Sequence, residues 1–228
     1  MPIKVLYEDK SIIIVEKPAG IATQTANVTS PDCVSLIKAH IKAADPDISG
    51  EPYVGVVHRL DQPVAGILVF AKNKKAAASL SEQVRGTVMN KHYTALVEGI
   101  LDQPEDVRLC NRMYKDNRER RAVIVSEDHD MKQLPPNTGL SDACLIYHTE
   151  KILKDKNMTL LSIKLETGRF HQIRAQRSNI GHPIAGDGKY GASTAYPSGI
   201  ALVADSLEFR HPDTGEKVEK VVDFSFCL

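Results

Sequence analysis

Short apolar runs separated by turn residues recur along this chain, and they limit its fold more than any other feature. Two such runs with a polar turn between them are typical of an antiparallel hairpin. The pairs are Lys4–Tyr7 with Ser11–Val15, the two halves of Val107–Val125, Cys144–Leu153 with Met158–Glu166, and Ile200–Phe209 with Lys217–Phe224. Lys91–Leu101 adds a further strand. Many hairpins with few helices predict an α+β fold on a largely antiparallel sheet.

Three segments have helical spacing and recognisable ends. The first begins with Ser30 as its N-cap and Pro31 at its first position. The second, Asn73–Arg85, begins at a capping asparagine and stops before a glycine. The third spans Phe170–Ile180. No internal repeat or linker is evident, and 228 residues suffice for one large domain or two small ones.

Composition and charge exclude several classes of protein. Apolar residues make up 42% of the chain, so a packed core is expected and global disorder is not. Basic and acidic residues number 29 each, so any nucleic-acid surface must come from local clustering. The N-terminus has no apolar signal core, and no apolar run approaches the roughly 18 residues of a membrane span. We therefore expect a soluble, cytoplasmic protein that does not contact a membrane.

Cysteine and histidine usage indicates neither a metal nor a disulfide framework. The four cysteines, Cys33, Cys110, Cys144 and Cys227, are far apart and form no CxxC pair. We interpret them as reduced thiols of an intracellular protein and expect no zinc site. The eight histidines are scattered without HxxxH or HExxH spacing, so no catalytic metal is expected.

A charged cluster lies between two apolar runs in Val56–Lys72, VVHRLDQPVAGILVFAK. His58, Arg59 and Asp61 form the cluster, and the run that follows it is typical of a buried strand. A carboxylate beside an arginine at the mouth of a strand is where a functional site is often built. A plain ion pair at a strand end is the alternative, and the stretch alone leaves both open.

The turn of the Val107–Val125 hairpin is unusually basic. Six cationic side chains fall within 14 residues: Arg108, Arg112, Lys115, Arg118, Arg120 and Arg121. Such a run fits either a solvated hairpin or an arm that contacts phosphates. The sequence alone favours neither.

A second polar constellation, ETGRFHQIRAQRSNIGHPIAGDGKYG, occupies Glu166–Gly191. In a helix that starts near Phe170, His171 and Arg174 share a face. The arginines could equally form a solvated helix face, and the glycines could be turns. The glycine run lacks the spacing of a P-loop or of a dinucleotide fingerprint.

Four stretches in this order resemble the RluA-type pseudouridine synthase family. They are EKPAG at Glu16–Gly20, HRLD…GILVFAK at His58–Lys72, KHYTALVEG at Lys91–Gly99, and TGRFHQIR…GHPIAGDGKYG at Thr167–Gly191. EFRHPDTGE at Glu208–Glu216 also resembles the terminal hairpin of that family. The resemblance covers nearly the whole chain.

The resemblance implies a single catalytic domain over residues 1–228, with a mixed, mainly antiparallel sheet in two halves, a central cleft and flanking helices. It also implies that specific uridines of tRNA or ribosomal RNA are isomerised to pseudouridine. That reaction requires no cofactor and no metal. We further expect a monomer.

Three residues match the catalytic positions of the family: Asp61, Tyr93 and Arg174. The reaction cleaves a bond at the anomeric carbon, where an ionised Asp61 can attack, stabilise a cation or remove a proton. These three roles stay open. Arg174 matches the arginine that pairs with this aspartate and so favours its charged form. Tyr93 matches the tyrosine that stacks on the target base. No evident second carboxylate accompanies Asp61, which argues against a glycosidase.

Five further residues are assigned to substrate binding by the same resemblance. Arg59 matches the arginine that enters the RNA stack when the target nucleotide flips out. His58 supports it, and Ile173 matches an apolar position at the base pocket. Lys17 orients the cleft or meets phosphate, and His171 belongs to the HQIR motif. Arg118, Arg120 and Arg121 are the candidates for contacting the RNA backbone.

The chain departs from the family pattern at three places. Val64-Ala65 stand where the family usually has Thr-Ser, Phe170 replaces a threonine, and Gln176-Arg177 replace His-Leu. Val64-Ala65 and Phe170 keep an alternative open, a noncatalytic RNA-binding or RNA-folding protein with the synthase fold. The chain also begins without the S4-type RNA-binding domain of many relatives, so we expect recognition by the cleft and the 108–121 arm.

Overall fold

The computed structural model describes residues 2–26, 30–126, 134, 138–197 and 199–226. The chain divides into two compact units. The first comprises Met1–Lys91 and Val203–Ser225, and the second comprises His92–Leu202 and Phe226–Leu228. Helices and a mixed, mainly antiparallel sheet make up the molecule, so the predicted α+β fold class is confirmed.

The first unit is built on hairpins joined by one parallel pair. Its strands are β1 (Lys4–Glu8), β2 (Ile12–Lys17), β3 (Gly55–Val56), β4 (Ala65–Ala71), β10 (Leu202–Arg210) and β11 (Lys217–Val221). Their order is β1-β2-β4-β10-β11, with β3 also paired to β4. Only β4 and β10 run parallel among these pairs; the others are antiparallel. The predicted first and last hairpins are therefore confirmed.

Helices α1 (Cys33–Ala44) and α2 (Lys74–Arg85) complete this unit. The predicted caps of α2 are confirmed, since the Asn73 side chain accepts from the Ala76 amide and Gly86 ends the helix. The predicted start of α1 is wrong. Its N-cap is Asp32, which forms a capping box with Ser35. The carboxylate of Asp32 also accepts from the amide of Thr25, a contact that local sequence does not reveal.

The core of the first unit lies between β2, β4 and α2. Ile12, Ile14 and Val69 are fully buried and pack with Ala76 and Leu80 of α2. The residues on the opposite faces of β2 and β4 are buried as well, which explains why both strands have nearly unbroken apolar sequences.

Gly66 permits the parallel pairing of β4 and β10. Its φ is +130°, and a Cβ there would meet the carbonyl oxygen of Ala204 at 2.2 Å. Only glycine tolerates both conditions. β4 can therefore start immediately after the loop that carries Asp61.

The second unit contains five strands and one α-helix in its described part. They are β5 (Asn90–Glu98), β6 (Val107–Asp116), β7 (Arg121–Val125), β8 (Ser141–Leu153), β9 (Met158–Leu165) and α3 (Gln172–Asn179). The strand order is β5-β9-β8-β6-β7. Both predicted hairpins, β6–β7 and β8–β9, are confirmed as antiparallel pairs.

Helix α3 begins at Gln172, two residues later than predicted. His171 precedes it as the N-cap in the left-handed conformation, with φ of 51°. That conformation cannot continue a right-handed helix, so Phe170 and His171 lie outside α3.

The prediction of four reduced cysteines is wrong for one pair. Cys110 of β6 and Cys144 of β8 are direct partners in the strand register, with Cα atoms 4.2 Å apart, and form a disulfide. They lie 34 residues apart in sequence, so only strand register brings them together. Cys33 is a buried free thiol, and Cys227 lies outside the described residues.

One group of three potential metal ligands occurs among the described residues: Cys110, Cys144 and Glu166. The two sulfurs are bonded to each other, and a disulfide offers no thiolate to a metal. In the described part of the chain, no helix has the length and apolar character needed to span a membrane.

Candidate active-site residues

Asp61 lies on the loop between β3 and β4, and that loop is anchored on both sides. Before Asp61, the amide and carbonyl of Leu60 both bond to the hydroxyl of Thr23, at 3.1 and 3.0 Å. After Asp61, its own carbonyl accepts from the amide of buried Val64 at 3.0 Å. The half-buried Asp61 carboxylate thus sits on a fixed loop, while neighbouring Arg59 is exposed.

His58 fastens the same loop to strand β4. Its Nε2 accepts a hydrogen bond from the amide of Val69 at 3.1 Å. Burial, with a smaller contribution from the charge of Lys91, lowers the pKa of His58 to about 3. The imidazole is therefore neutral at physiological pH and acts as a backbone acceptor.

Lys17 is a buried cation that joins backbone segments through hydrogen bonds and does not face solvent. The side chain is fully buried, and its ammonium donates to three carbonyls, those of Pro18 at 3.0 Å, Ile21 at 2.7 Å and Gln62 at 3.0 Å. Burial lowers the pKa of Lys17 to about 8, against opposing contributions from Cys33 and Asp61. Of the two sequence-based alternatives, the geometry supports orientation of the Asp61 loop.

Arg174 is held by Asp187 in the second unit. Its Nε donates to Oδ2 of Asp187 at 2.6 Å, and its Nη2 donates to Oδ1 at 2.8 Å. The two side chains are 6% and 1% exposed. This two-point pair fixes the plane of the guanidinium. Sequence analysis missed Asp187 because it treated the glycine run around it as turns; an acid within that run was the available signal.

Tyr190 contacts two of the predicted residues of this unit, His171 and Arg174. Its hydroxyl bonds to Nδ1 of His171 at 2.9 Å, and the Arg174 guanidinium lies 5.0 Å from its ring centroid. Burial and the charges of Arg174, Lys189 and Lys115 lower the pKa of His171 to about 3. We call His171, Arg174, Asp187 and Tyr190 the Tyr190 cluster.

Tyr93 and Ile173 are the apolar members of the predicted site. Tyr93 lies on β5 and is 7% exposed, and Ile173 lies in the first turn of α3 and is 4% exposed. Ile173 and Arg174 are consecutive residues of the first turn of α3. Gln172 fixes the position of this first turn, because its side-chain Nε2 donates to the backbone carbonyl of Cys144 at 3.0 Å.

Gln176 and Arg177, which stand where the family pattern has His-Leu, anchor α3 to the sheet. The amide nitrogen of Gln176 donates to Asn111 Oδ1 at 2.9 Å and to the carbonyl of Ala143 at 3.1 Å. Arg177 is fully buried, with its guanidinium 4.0 Å from the ring centroid of Tyr147. The solvated-helix alternative is therefore wrong for Arg174 and Arg177.

The basic hairpin is fastened to the Tyr190 cluster. Nζ of Lys189 donates to the carbonyls of Glu119 and Arg120, at 3.3 and 2.9 Å. The guanidinium of Arg121 lies 5.3 Å from the Tyr190 ring centroid. Arg118, Arg120 and Arg121 are all exposed. Arg108, at the other end of β6, instead pairs with Glu166.

Each unit thus gathers its own set of predicted residues. In the first unit, His58 and Asp61 lie on the same loop, and Lys17 bonds to that loop. In the second unit, His171 and Arg174 both contact Tyr190. The predicted pairing of Asp61 with Arg174 stays a prediction.

Solved structures with the same fold are pseudouridylate synthase domains. Human RNA Pseudouridylate Synthase Domain Containing 1 superposes with a TM-score of 0.71 at 22% identity, covering 97% of this chain and 83% of that one. The human Domain Containing 4 protein gives a TM-score of 0.73 at 20% identity, covering 97% and 88%. The fold is therefore that of the pseudouridylate synthases.

Sequence relatives define the family. The family model for RNA pseudouridylate synthase matches residues 11–179. A ribosomal large subunit pseudouridine synthase D from Nitrosomonas europaea is 35% identical over 95% of this chain and 60% of its own length. An uncharacterized RNA pseudouridine synthase, YlyB, from Bacillus subtilis is 34% identical over 96% and 68%. The chain belongs to the RNA pseudouridylate synthase family, as its motifs predicted. It spans about 60% of the length of the Nitrosomonas relative.

Proposed function

We propose that this protein is an RNA pseudouridine synthase that isomerises specific uridines of tRNA or ribosomal RNA in the cytoplasm. The observation that carries the proposal is Asp61, the motif aspartate, on a loop fixed by Thr23, His58 and Lys17. A reacting carboxylate must be held in place relative to its target, and such a loop does so.

The proposed reaction needs one positioned carboxylate. The bond between N1 of uracil and C1′ of ribose breaks, a bond from C5 to C1′ forms, C5 loses its proton and N1 gains one. Asp61 acts at C1′ as a nucleophile, as a stabiliser of positive charge or as a base towards the sugar. All three roles require its ionised form.

Arg174 is proposed to keep Asp61 ionised. A guanidinium has five N–H donors in one plane, and Asp187 engages its Nε and Nη2. The family motif pairs this arginine with Asp61, and we propose the same pairing here. A cation held in this way favours the charged carboxylate.

Base recognition is assigned to Tyr93 and Ile173, and nucleotide flipping to Arg59. An aromatic ring and an apolar side chain suit a flat uracil, whereas the exposed Arg59 can replace the stacking that a flipped base leaves behind. The exposed arginines of the basic hairpin supply phosphate contacts. With a net charge of zero, the chain must rely on such local clusters and on RNA shape.

The alternative of a noncatalytic RNA-binding protein draws on Val64-Ala65, which lack the hydroxyls of the family motif. In this structure Val64 is 2% exposed and its amide closes the Asp61 turn. The loop is braced by Thr23 and Lys17 instead. The missing hydroxyls therefore do not favour the alternative.

A pseudouridine map of all tRNA and ribosomal RNA, from cells with and without the gene, tests the proposal. Add-back of wild type restores the lost sites, and Asp61→Ala does not. If no site changes on deletion, or if Asp61→Ala restores every site, the proposal fails. Equal RNA binding by the two proteins shows that the variant lost chemistry and not substrate.

A further inference from the structure

Phe170 is an exposed aromatic ring directly beside the Tyr190 cluster. It is 37% exposed. Its ring stacks on His171, with centroids 3.8 Å apart and planes inclined by 18°. One face of the phenyl ring is therefore covered by protein.

The support under Phe170 is rigid. Nδ1 of His171 bonds to the hydroxyl of Tyr190, which also accepts from the amide of Ala122 at 2.7 Å. Tyr190 is 3% exposed. The neutral state of His171 at physiological pH, set by its lowered pKa, keeps this arrangement unchanged there. Phe170 is thus supported through His171 by Tyr190, which β7 in turn holds, although Phe170 precedes the helix.

A cation lies over the Phe170 ring. Nζ of Lys115 is 4.9 Å from the ring centroid, and Lys115 is exposed on β6. Because His171 fills one face, the ammonium lies over the opposite face. A lysine stem is flexible, so its ammonium can leave the ring for a phosphate and expose a flat apolar surface.

We propose that Phe170 is a stacking platform for an RNA base other than the target uridine, and that Lys115 binds the phosphate of that nucleotide. The inference rests on the proposed function, since it supplies a nucleotide subsite of the same protein. A fixed aromatic ring with an adjacent cation is the combination that binds single-stranded nucleotides, because every base has a π-face. An isolated exposed phenyl ring would need neither the support nor the cation.

The affinity test uses a fluorescein-labelled 12-nucleotide oligouridine, measured by anisotropy at several salt concentrations. Phe170→Ala is expected to raise Kd roughly 5- to 100-fold, the range for losing one stacked base, with an unchanged salt slope. Lys115→Ala is expected to lower the salt slope by about 0.7, the contribution of one phosphate contact on a single strand. Phe170→Tyr retains a ring and should stay within twofold of wild type.

The kinetic test uses tRNA and ribosomal RNA with tritium at uridine C5, which each isomerisation releases. Phe170→Ala is expected to raise KM by a similar factor and to change kcat less than twofold. A fall in kcat at constant KM would mean that Phe170 influences α3 through its contact with His171. That result would refute the proposed stacking role. If wild type releases no tritium, the isomerase proposal fails, and the oligouridine affinities alone decide the platform.

Phe224→Ala is the matched control, because Phe224 is an exposed phenylalanine of similar accessibility, 43%, in the first unit. It is expected to bind oligouridine as wild type does. Equal affinities for Phe170→Ala and Phe224→Ala overturn the proposal. So does a Phe170→Leu variant that binds as tightly as wild type, since apolar bulk without a ring would then suffice.

Discussion

Asp187 and Arg174 form a charge pair with almost no access to solvent. Removing one partner of such a pair strands the other charge in a medium that solvates it poorly. We therefore predict that Asp187→Ala lowers the free energy of unfolding by about 3–5 kcal/mol. Asp187→Asn, which keeps the shape, should destabilise less yet slow the isomerisation, because Arg174 loses its orienting carboxylate. Urea unfolding and single-turnover kinetics measure the two effects.

Glu166→Ala is the control for this pair. Glu166 bonds to Arg108 with the same chemistry, but Arg108 is 62% exposed. Exposed ion pairs contribute about 0–1 kcal/mol. If Asp187→Ala and Glu166→Ala unfold at the same urea concentration, the buried pair does not have the role assigned to it.

His58 predicts a pH dependence of stability. Its pKa is about 3 in the folded chain, against 6.5 for an unperturbed histidine. Between these values the unfolded chain binds a proton that the folded chain does not, so stability falls as pH falls. From pH 7 to 5, where most carboxylates remain ionised, His58→Gln should lose about 1–2 kcal/mol less than wild type. Urea unfolding at each pH measures the difference.

His148→Gln is the matched control, since the His148 side chain is 41% exposed. It shows how the loss of an imidazole outside the Asp61 loop changes stability between pH 7 and 5. A His58→Gln profile that coincides with wild type would show that His58 is not held neutral by Val69 and its surroundings.

From the sequence, single residues could be assigned where a motif contains them. Residues that only the fold brings together were missed. Asp61, Tyr93 and Arg174 came from matched motifs. Asp187 was missed because the turn after α3, and not a local sequence pattern, brings it to Arg174. Lys17 was assigned two alternatives, and its burial, which favours the orienting role, was not evident from the sequence.

The β6–β7 hairpin is the element that we expect to contact the RNA backbone. Its exposed arginines are held next to the Tyr190 cluster by Lys189. Changing Arg118, Arg120 and Arg121 together to glutamine should lower the slope of log affinity against log salt by about 2–3, since each phosphate contact contributes about 0.7–0.9. Binding measured at several salt concentrations tests this.

A matched charge control lies on the other hairpin of the same unit. Lys151, Lys154 and Lys156 are exposed at the β8–β9 turn. Changing all three to glutamine removes the same charge and should leave the slope nearly unchanged. Equal slopes for the two triple variants would reduce the basic hairpin to a solvated turn.

Helix ends show which parts of an element are predictable. The cap of α2 is a local contact between Asn73 and Ala76, and the sequence located it correctly. α1 starts two residues later than predicted, since Asp32 also binds Thr25 across a turn. α3 starts late because His171 turns towards Tyr190. Local signals suffice until a tertiary contact competes with them.

At the scale of the whole molecule, four motifs far apart in sequence carry the family assignment. Their order along the chain was sufficient to predict the family, and the family model over residues 11–179 confirms it. The disulfide between Cys110 and Cys144 could not be predicted from the sequence, because it depends on the register of β6 against β8. The choice of RNA likewise depends on surfaces that no motif specifies.

The most direct measurement is tritium release from tRNA and ribosomal RNA, labelled at uridine C5 and taken from cells that lack the gene. Purified wild type should release tritium, whereas Asp61→Asn, a nearly isosteric change, should release none and bind the same RNA within threefold. Release by Asp61→Asn at the wild-type rate, or none by wild type from either RNA, would contradict the assignment of this protein as an Asp61-dependent pseudouridine synthase.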